Sequence, residues 1–183
     1  GMSCRINGSD YMVFSASDGD VYVYGSGYNK YLPDAPKLSS CCTHDERMYA
    51  LTATARRSLV YSDNQNLLEW NDRVTEHLDF SDERGNLSKV ISFNDYLYIF
   101  RDFGITRLST YSTSGKFSIS HIFQSTSYIY PGSIASDGEN VYFLTTEGFY
   151  SFNGNTVKRL DLDCFNRIID KTNCNAICFE GKY

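Results

Sequence analysis

The chain has 183 residues, of which 42% are hydrophobic; with 15 Tyr, 12 Phe and only 3 Pro it can bury a core, and it is neither disordered nor collagen-like. A formal net charge of -5 gives no general attraction to polyphosphate, and Arg56-Arg57 and Lys158-Arg159 are scattered among carboxylates, so no nucleic-acid partner is expected. No apolar run approaches the roughly 20 residues that cross a bilayer, and residues 1–8 lack a basic patch followed by an apolar stretch, so neither a membrane span nor a secretory signal is read.

One design recurs along the chain: a polar turn, a strand mixing Tyr with aliphatics, a short turn often holding Gly, and a second strand. The first and weakest copy is Asp10-Tyr11-Met12-Val13-Phe14-Ser15, followed by Asp18-Gly19-Asp20-Val21-Tyr22-Val23-Tyr24. Asp45-Glu46-Arg47-Met48-Tyr49-Ala50-Leu51-Thr52 begins the next, continued by Ser58-Leu59-Val60-Tyr61-Ser62. The single tryptophan, Trp70 in Leu67-Leu68-Glu69-Trp70-Asn71, is read as a packing residue. Lys89-Val90-Ile91-Ser92-Phe93 then precedes the clearest copy, Asn94-Asp95-Tyr96-Leu97-Tyr98-Ile99-Phe100-Arg101-Asp102-Phe103-Gly104-Ile105-Thr106-Arg107-Leu108. In Ser118-Ile119-Ser120-His121-Ile122-Phe123 simple alternation puts a part-buried His121 on the side of Ile119 and Phe123. The fourth copy runs from Asp137-Gly138-Glu139-Asn140-Val141-Tyr142-Phe143-Leu144 to Phe152, and with the Asn153-Gly154 turn it yields three strands between Asn140 and Leu160. Residues 161–169 read as a short helix, with an acidic start and Cys164, Phe165, Ile168 and Ile169 on one face. Asn175-Ala176-Ile177-Cys178-Phe179-Glu180-Gly181-Lys182-Tyr183 looks like the opening of a fifth copy.

With Tyr49, Leu97 and Tyr142 taken as equivalent, the steps are 48 and 45 residues, which is the spacing of propeller blades. One small sheet cannot bury both of its faces, so such sheets stack on one another. The expected fold is therefore all-β and β-propeller-like: one domain over residues 1–183, about four antiparallel blades, and a short helix near the C-terminus. The chain is expected to be a fragment of a longer repeat protein, or one whose ring other chains complete. Two end sheets would expose stacking faces, so self-association or an open arc is expected.

Little in the sequence speaks for catalysis. Asp18-Gly19-Asp20, Asp82-Glu83 and Asp161-Leu162-Asp163 are carboxylate pairs, but the first two sit in turns, where Asp serves the backbone. Ser17-Asp18-Gly19-Asp20-Val21-Tyr22 does not fit the Ser-x-Asp-x-Gly-x-Thr-Trp box of propeller glycosidases, and no EF-hand loop, Gly-x-Ser-x-Gly elbow, Walker loop or Rossmann fingerprint appears. Cys4, Cys41, Cys42, Cys164, Cys174 and Cys178 are read as reduced thiols. Cys164, Cys174 and Cys178 lack a paired Cys-x2-Cys, and His44, His77 and His121 are remote from them, so no metal is expected. The expectation is a non-enzyme with no catalytic residue, no cofactor and no metal site.

The segment Asp95-Tyr96-Leu97-Tyr98-Ile99-Phe100-Arg101-Asp102-Phe103-Gly104-Ile105-Thr106-Arg107-Leu108, with Leu67-Leu68-Glu69-Trp70-Asn71 and Gly85-Asn86-Leu87-Ser88-Lys89-Val90 before it, resembles propeller-like virion and tail-associated proteins of bacteriophages and prophages. The likeness covers roughly residues 45–160; the first copy has no matching Trp. The resemblance implies a structural or recognition module of a phage particle, in the virion or in host cytoplasm during assembly. Its partners would be other virion or tail proteins, or the remainder of its own chain. A carbohydrate-binding or carbohydrate-active propeller is the alternative, since Tyr rings stack on sugars. However, Tyr recurs at the same place in each copy, as a core layer would require.

Overall fold

The computed structural model describes residues 1–6, 8–16, 18–25, 27–62, 70, 76–110 and 117–178. Among them sixteen strands form four sheets, each a four-stranded antiparallel meander in which neighbours in sequence pair. The first contains β1 (Met2–Ile6), β2 (Ser9–Phe14), β3 (Val21–Gly25) and β4 (Tyr28–Leu32). The second contains β5 (Leu38–His44), β6 (Arg47–Thr52), β7 (Ser58–Tyr61) and β8 (Glu76–Asp79). The third contains β9 (Leu87–Phe93), β10 (Tyr96–Arg101), β11 (Gly104–Thr110) and β12 (Phe117–Gln124). The fourth contains β13 (Ala135–Ser136), β14 (Val141–Leu144), β15 (Phe149–Phe152) and β16 (Val157–Leu160).

Period-2 alternation on strands buried from both sides explains the stacking. β6 sends Met48 and Ala50 into a seam with the first blade, and Tyr49 and Leu51 into a seam with the third. β10 likewise sends Leu97 and Ile99 toward the second blade, and Tyr98 and Phe100 toward the fourth. Three apolar seams therefore join four blades, and Trp70 lies buried in the first of them, as a packing residue should. The first strands of successive blades converge: the Val90 amide on β9 donates to Ser40 Oγ on β5 at 3.1 Å, and Lys89 Nζ donates to Ile134 O, next to β13, at 2.6 Å. The result is the expected all-β, partial propeller of four blades.

Several expectations need correction. The residue equivalent to Tyr49 and Tyr142 is Tyr98, not Leu97: the buried pairs Met48 and Ala50, Leu97 and Ile99, and Val141 and Phe143 are the ones that face the preceding blade. A slip of one residue exchanges the two faces of a strand, so only packing partners fix the register. His121 is exposed rather than part-buried, because the pairing of β11 with β12 shifts between Ile105 and Thr106. This bulge breaks the alternation, and Ile122 and Phe123 are the residues that pack into the third seam. The helix expected over residues 161–169 is a 3₁₀ turn, Asp163–Arg167, with Leu162 rather than an acidic side chain at its cap and with Ile169 fully exposed. Five residues without a capping bond cannot sustain the costly nucleus of an α-helix. Ser17, residues 67–69 and 71 of the Trp-containing motif, and residues 179–183 of the fifth copy lie outside the described residues.

The turns Asp45-Glu46 and Asn94-Asp95 have φ of 45° and 59°, and of 46° and 61°, the left-handed pair that a two-residue hairpin matching the strand twist requires. Glu is poorly suited to that region. Replacing Asp45-Glu46 by Asn-Gly should raise stability by about 0.5–1 kcal/mol, read from the urea midpoint at unchanged m.

Candidate interaction surface

Three places bring polar or exposed apolar side chains together. The first lies where the loop between the second and third blades crosses the end of β10. Arg101, fully buried, donates from Nη1 to Asp82 Oδ2 at 2.5 Å and from Nη2 to Gly85 O at 2.7 Å, with its guanidinium over the Phe80 ring. Arg84 donates from its backbone N and from Nη1 to the other Asp82 oxygen, both at 3.0 Å. Burial alone would raise the Asp82 pKa, but the hydrogen bonds from Arg101 and Arg84, with the Arg101 charge, outweigh it and hold the carboxyl well below the usual carboxylate range. Beside this network is a polar cleft of about 240 Å³ that includes Arg56, Asn86, Asp102 and Tyr128. Asp102 Oδ2 accepts from the backbone N and Nδ2 of Asn86, and burial, followed by the Asp102 charge, pushes the Tyr128 phenol up. The cleft is smaller than the roughly 300 Å³ at which small-molecule sites begin. These groups fix a loop across blades.

The second place joins the first strands. Ser92 Oγ is 2.8 Å from His44 Nδ1, and His44 Nε2 lies 3.5 Å from an Asp45 oxygen. Ser, His and Asp in a row suggest nucleophilic catalysis, but Nε2 makes no hydrogen bond, so Asp45 does not fix the tautomer as a triad requires. The ring is 8% exposed and lies 6.4 Å from the Tyr49 ring, tilted by 57°, a tie between blades. This pair was invisible in the sequence because its members are 48 residues apart. Among the described residues no group of three His, Cys, Asp or Glu side chains is placed to hold a metal ion, and the six cysteines carry free thiols.

The third place is the outer face of the first blade. Cross-strand partners Met12 and Tyr24, Phe14 and Tyr22, and Tyr22 and Tyr31 put five large side chains on one side of the sheet, opposite the buried Val13, Val21 and Val23. Met12, Phe14, Tyr24 and Tyr31 are 38%, 45%, 57% and 61% exposed. Tyr22 binds the Asn29 side chain through its hydroxyl and meets Tyr31 edge to face at 4.9 Å. The same face carries Arg5 and Asp10, register partners with an exposed ion pair at 3.7 Å. The equivalent positions of the other blades, such as Ala50, Ile99 and Phe143, are sealed in seams.

The outer face of the fourth blade is, by contrast, covered. Leu144 and Phe149 are 1% and 7% exposed beneath the chain that follows β16, the Phe165 ring lies 6.1 Å from that of Phe149, and the Ala176 amide donates to Gly132 O at 2.9 Å. The approach is so close that a Cβ at Gly132 would fall 2.1 Å from Cys174 O. The expectation of two exposed end sheets is thus half right, because the segment read as a connector lies back on its own blade.

Fold and surface together define a partial β-propeller with one unshielded aromatic blade face. Solved structures agree on the fold. The chain is similar to BBS1N, solved in complex with ARL6DN, with a TM-score of 0.58 at 9% identity over 87% of this chain and 53% of that one. It is also similar to Hsv2 of Kluyveromyces marxianus, with a TM-score of 0.50 at 10% identity over 84% of this chain and 52% of that one. The chain thus spans about half the length of these propellers. No protein-family model matches the sequence, and no curated protein is significantly similar to it. No helix among the described residues is long and apolar enough to cross a membrane.

Proposed function

We propose that the chain is a non-catalytic propeller module that acts through protein–protein contacts, with the outer face of its first blade as the binding surface. The observation that carries this reading is the row Met12, Phe14, Tyr24 and Tyr31 held exposed around a part-buried Tyr22, on a sheet whose other side is packed. Aromatic and Met side chains are what protein interfaces enrich, and a rigid sheet presents them at low entropic cost. The likeness of residues 95–108 to phage propeller proteins supports a virion setting, with tail or capsid proteins as partners.

Size-exclusion chromatography with tail and capsid proteins tests it. Co-elution that Tyr24→Asp with Tyr31→Asp removes is expected, alongside no turnover in an ester and glycoside panel. Turnover lost on Ser92→Ala would overturn the reading in favour of an enzyme. A glycan-array signal lost on Tyr24→Ala would replace it with sugar binding, where a ring face stacks on the ligand.

A further inference from the structure

Resting on the reading of that face as a protein-binding surface, we propose that its occupant is a second copy of this chain, the two first blades meeting face to face about a two-fold axis.

Three features select this occupant. The first is that a face whose apolar centre is Met12, Phe14, Tyr22, Tyr24 and Tyr31 suits another sheet, as the three seams inside the chain show. The second is that a head-to-tail arrangement would need the outer face of the fourth blade, and residues 161–178 of the same chain cover it at Leu144 and Phe149. Between copies of this chain the first blade therefore meets its like rather than the fourth blade, which is the isologous case and stops at two. The third is charge. Arg5 and Asp10 lie side by side at 71% and 82% side-chain exposure, so a two-fold rotation can bring each Arg5 to the other copy's Asp10. A face carrying one sign alone would repel its copy.

The size of the face sets the strength. Five large side chains, four of them 38% to 61% exposed and Tyr22 part-buried, offer roughly 400–500 Å² per copy, against about 800 Å² in a standard stable interface. The dimer is therefore weak and reversible, with a dissociation constant on the order of micromolar or weaker. Dilution separates it.

Sedimentation velocity on the full chain, from about 1 to several hundred micromolar, reads this directly. The expected result is a reversible passage from monomer to dimer that goes no further. Tyr24→Asp with Tyr31→Asp should weaken the dimer at least 10-fold while leaving the thermal midpoint within the small range of exposed substitutions. Tyr24→Lys alone provides a second, milder variant. A wild-type chain monomeric at the highest concentration overturns the dimer, as do oligomers that grow beyond two, or variants that dimerise like wild type. In the first of these cases, co-elution with a virion protein would still uphold the protein-binding reading. Loss of both would sink the two together.

Discussion

Replacing Phe143 by alanine should destabilise the chain by about 3–5 kcal/mol, the range for an aromatic ring removed from a packed core. Phe143 is fully buried at the centre of the third seam. Its ring meets Phe100 edge to face at 5.5 Å and stacks on Tyr150 at 5.6 Å with planes 14° apart. Phe100 belongs to the third blade and Tyr150 to the fourth, so one ring holds both sides of the seam and its loss leaves a void that neither sheet can close by moving alone. Chemical unfolding is the readout. Phe14, on the corresponding face of the first blade but 45% exposed, supplies the control: Phe14→Ala should cost far less.

Asp82→Ala should have an effect of similar size, about 3–5 kcal/mol, because it leaves the fully buried Arg101 guanidinium without its carboxylate. Arg101→Met together with Asp82→Ala should cost less than Asp82→Ala alone, since no uncompensated charge then remains in the core. The pair also predicts a pH dependence. The Asp82 carboxyl is held below its unfolded pKa of about 3.9, so the stability it contributes is complete above that value and is lost as pH falls through the lower, folded pKa. Wild type should therefore lose stability on acidification below about pH 4, and the part of that loss due to this carboxyl should be absent in Asp82→Ala. An acid limb identical in the two proteins would refute the coupling.

The fold was legible because its signals are local. Turn pairs such as Asn94-Asp95, and the run Tyr96-Leu97-Tyr98-Ile99-Phe100, recur at blade spacing, and each meander closes between neighbours in sequence. The interaction surface was legible only in composition. Met12 and Phe14 have the same character as Met48 and Phe143, and nothing local says that the first pair faces solvent while the others face a neighbouring blade. Which face of which blade is covered depends on stacking, and on residues 161–178 turning back over Leu144 and Phe149, which are long-range facts. Arg101 and Asp82 were hidden for the same reason. A charged residue at a strand end and an Asp in a turn look solvated until the loop lays one on the other. His121 was misplaced by a bulge, which no alternation pattern announces.

Sheets that bury their apolar sides only against each other should show it in a double-mutant cycle. Leu51→Ala and Leu97→Ala, on opposite sides of the second seam, should couple by about 0.5–3 kcal/mol, whereas Leu51→Ala and Phe143→Ala, in different seams, should add within about 0.5 kcal/mol. Additivity within the seam, or equal coupling across both pairs, would contradict the stack of four blades.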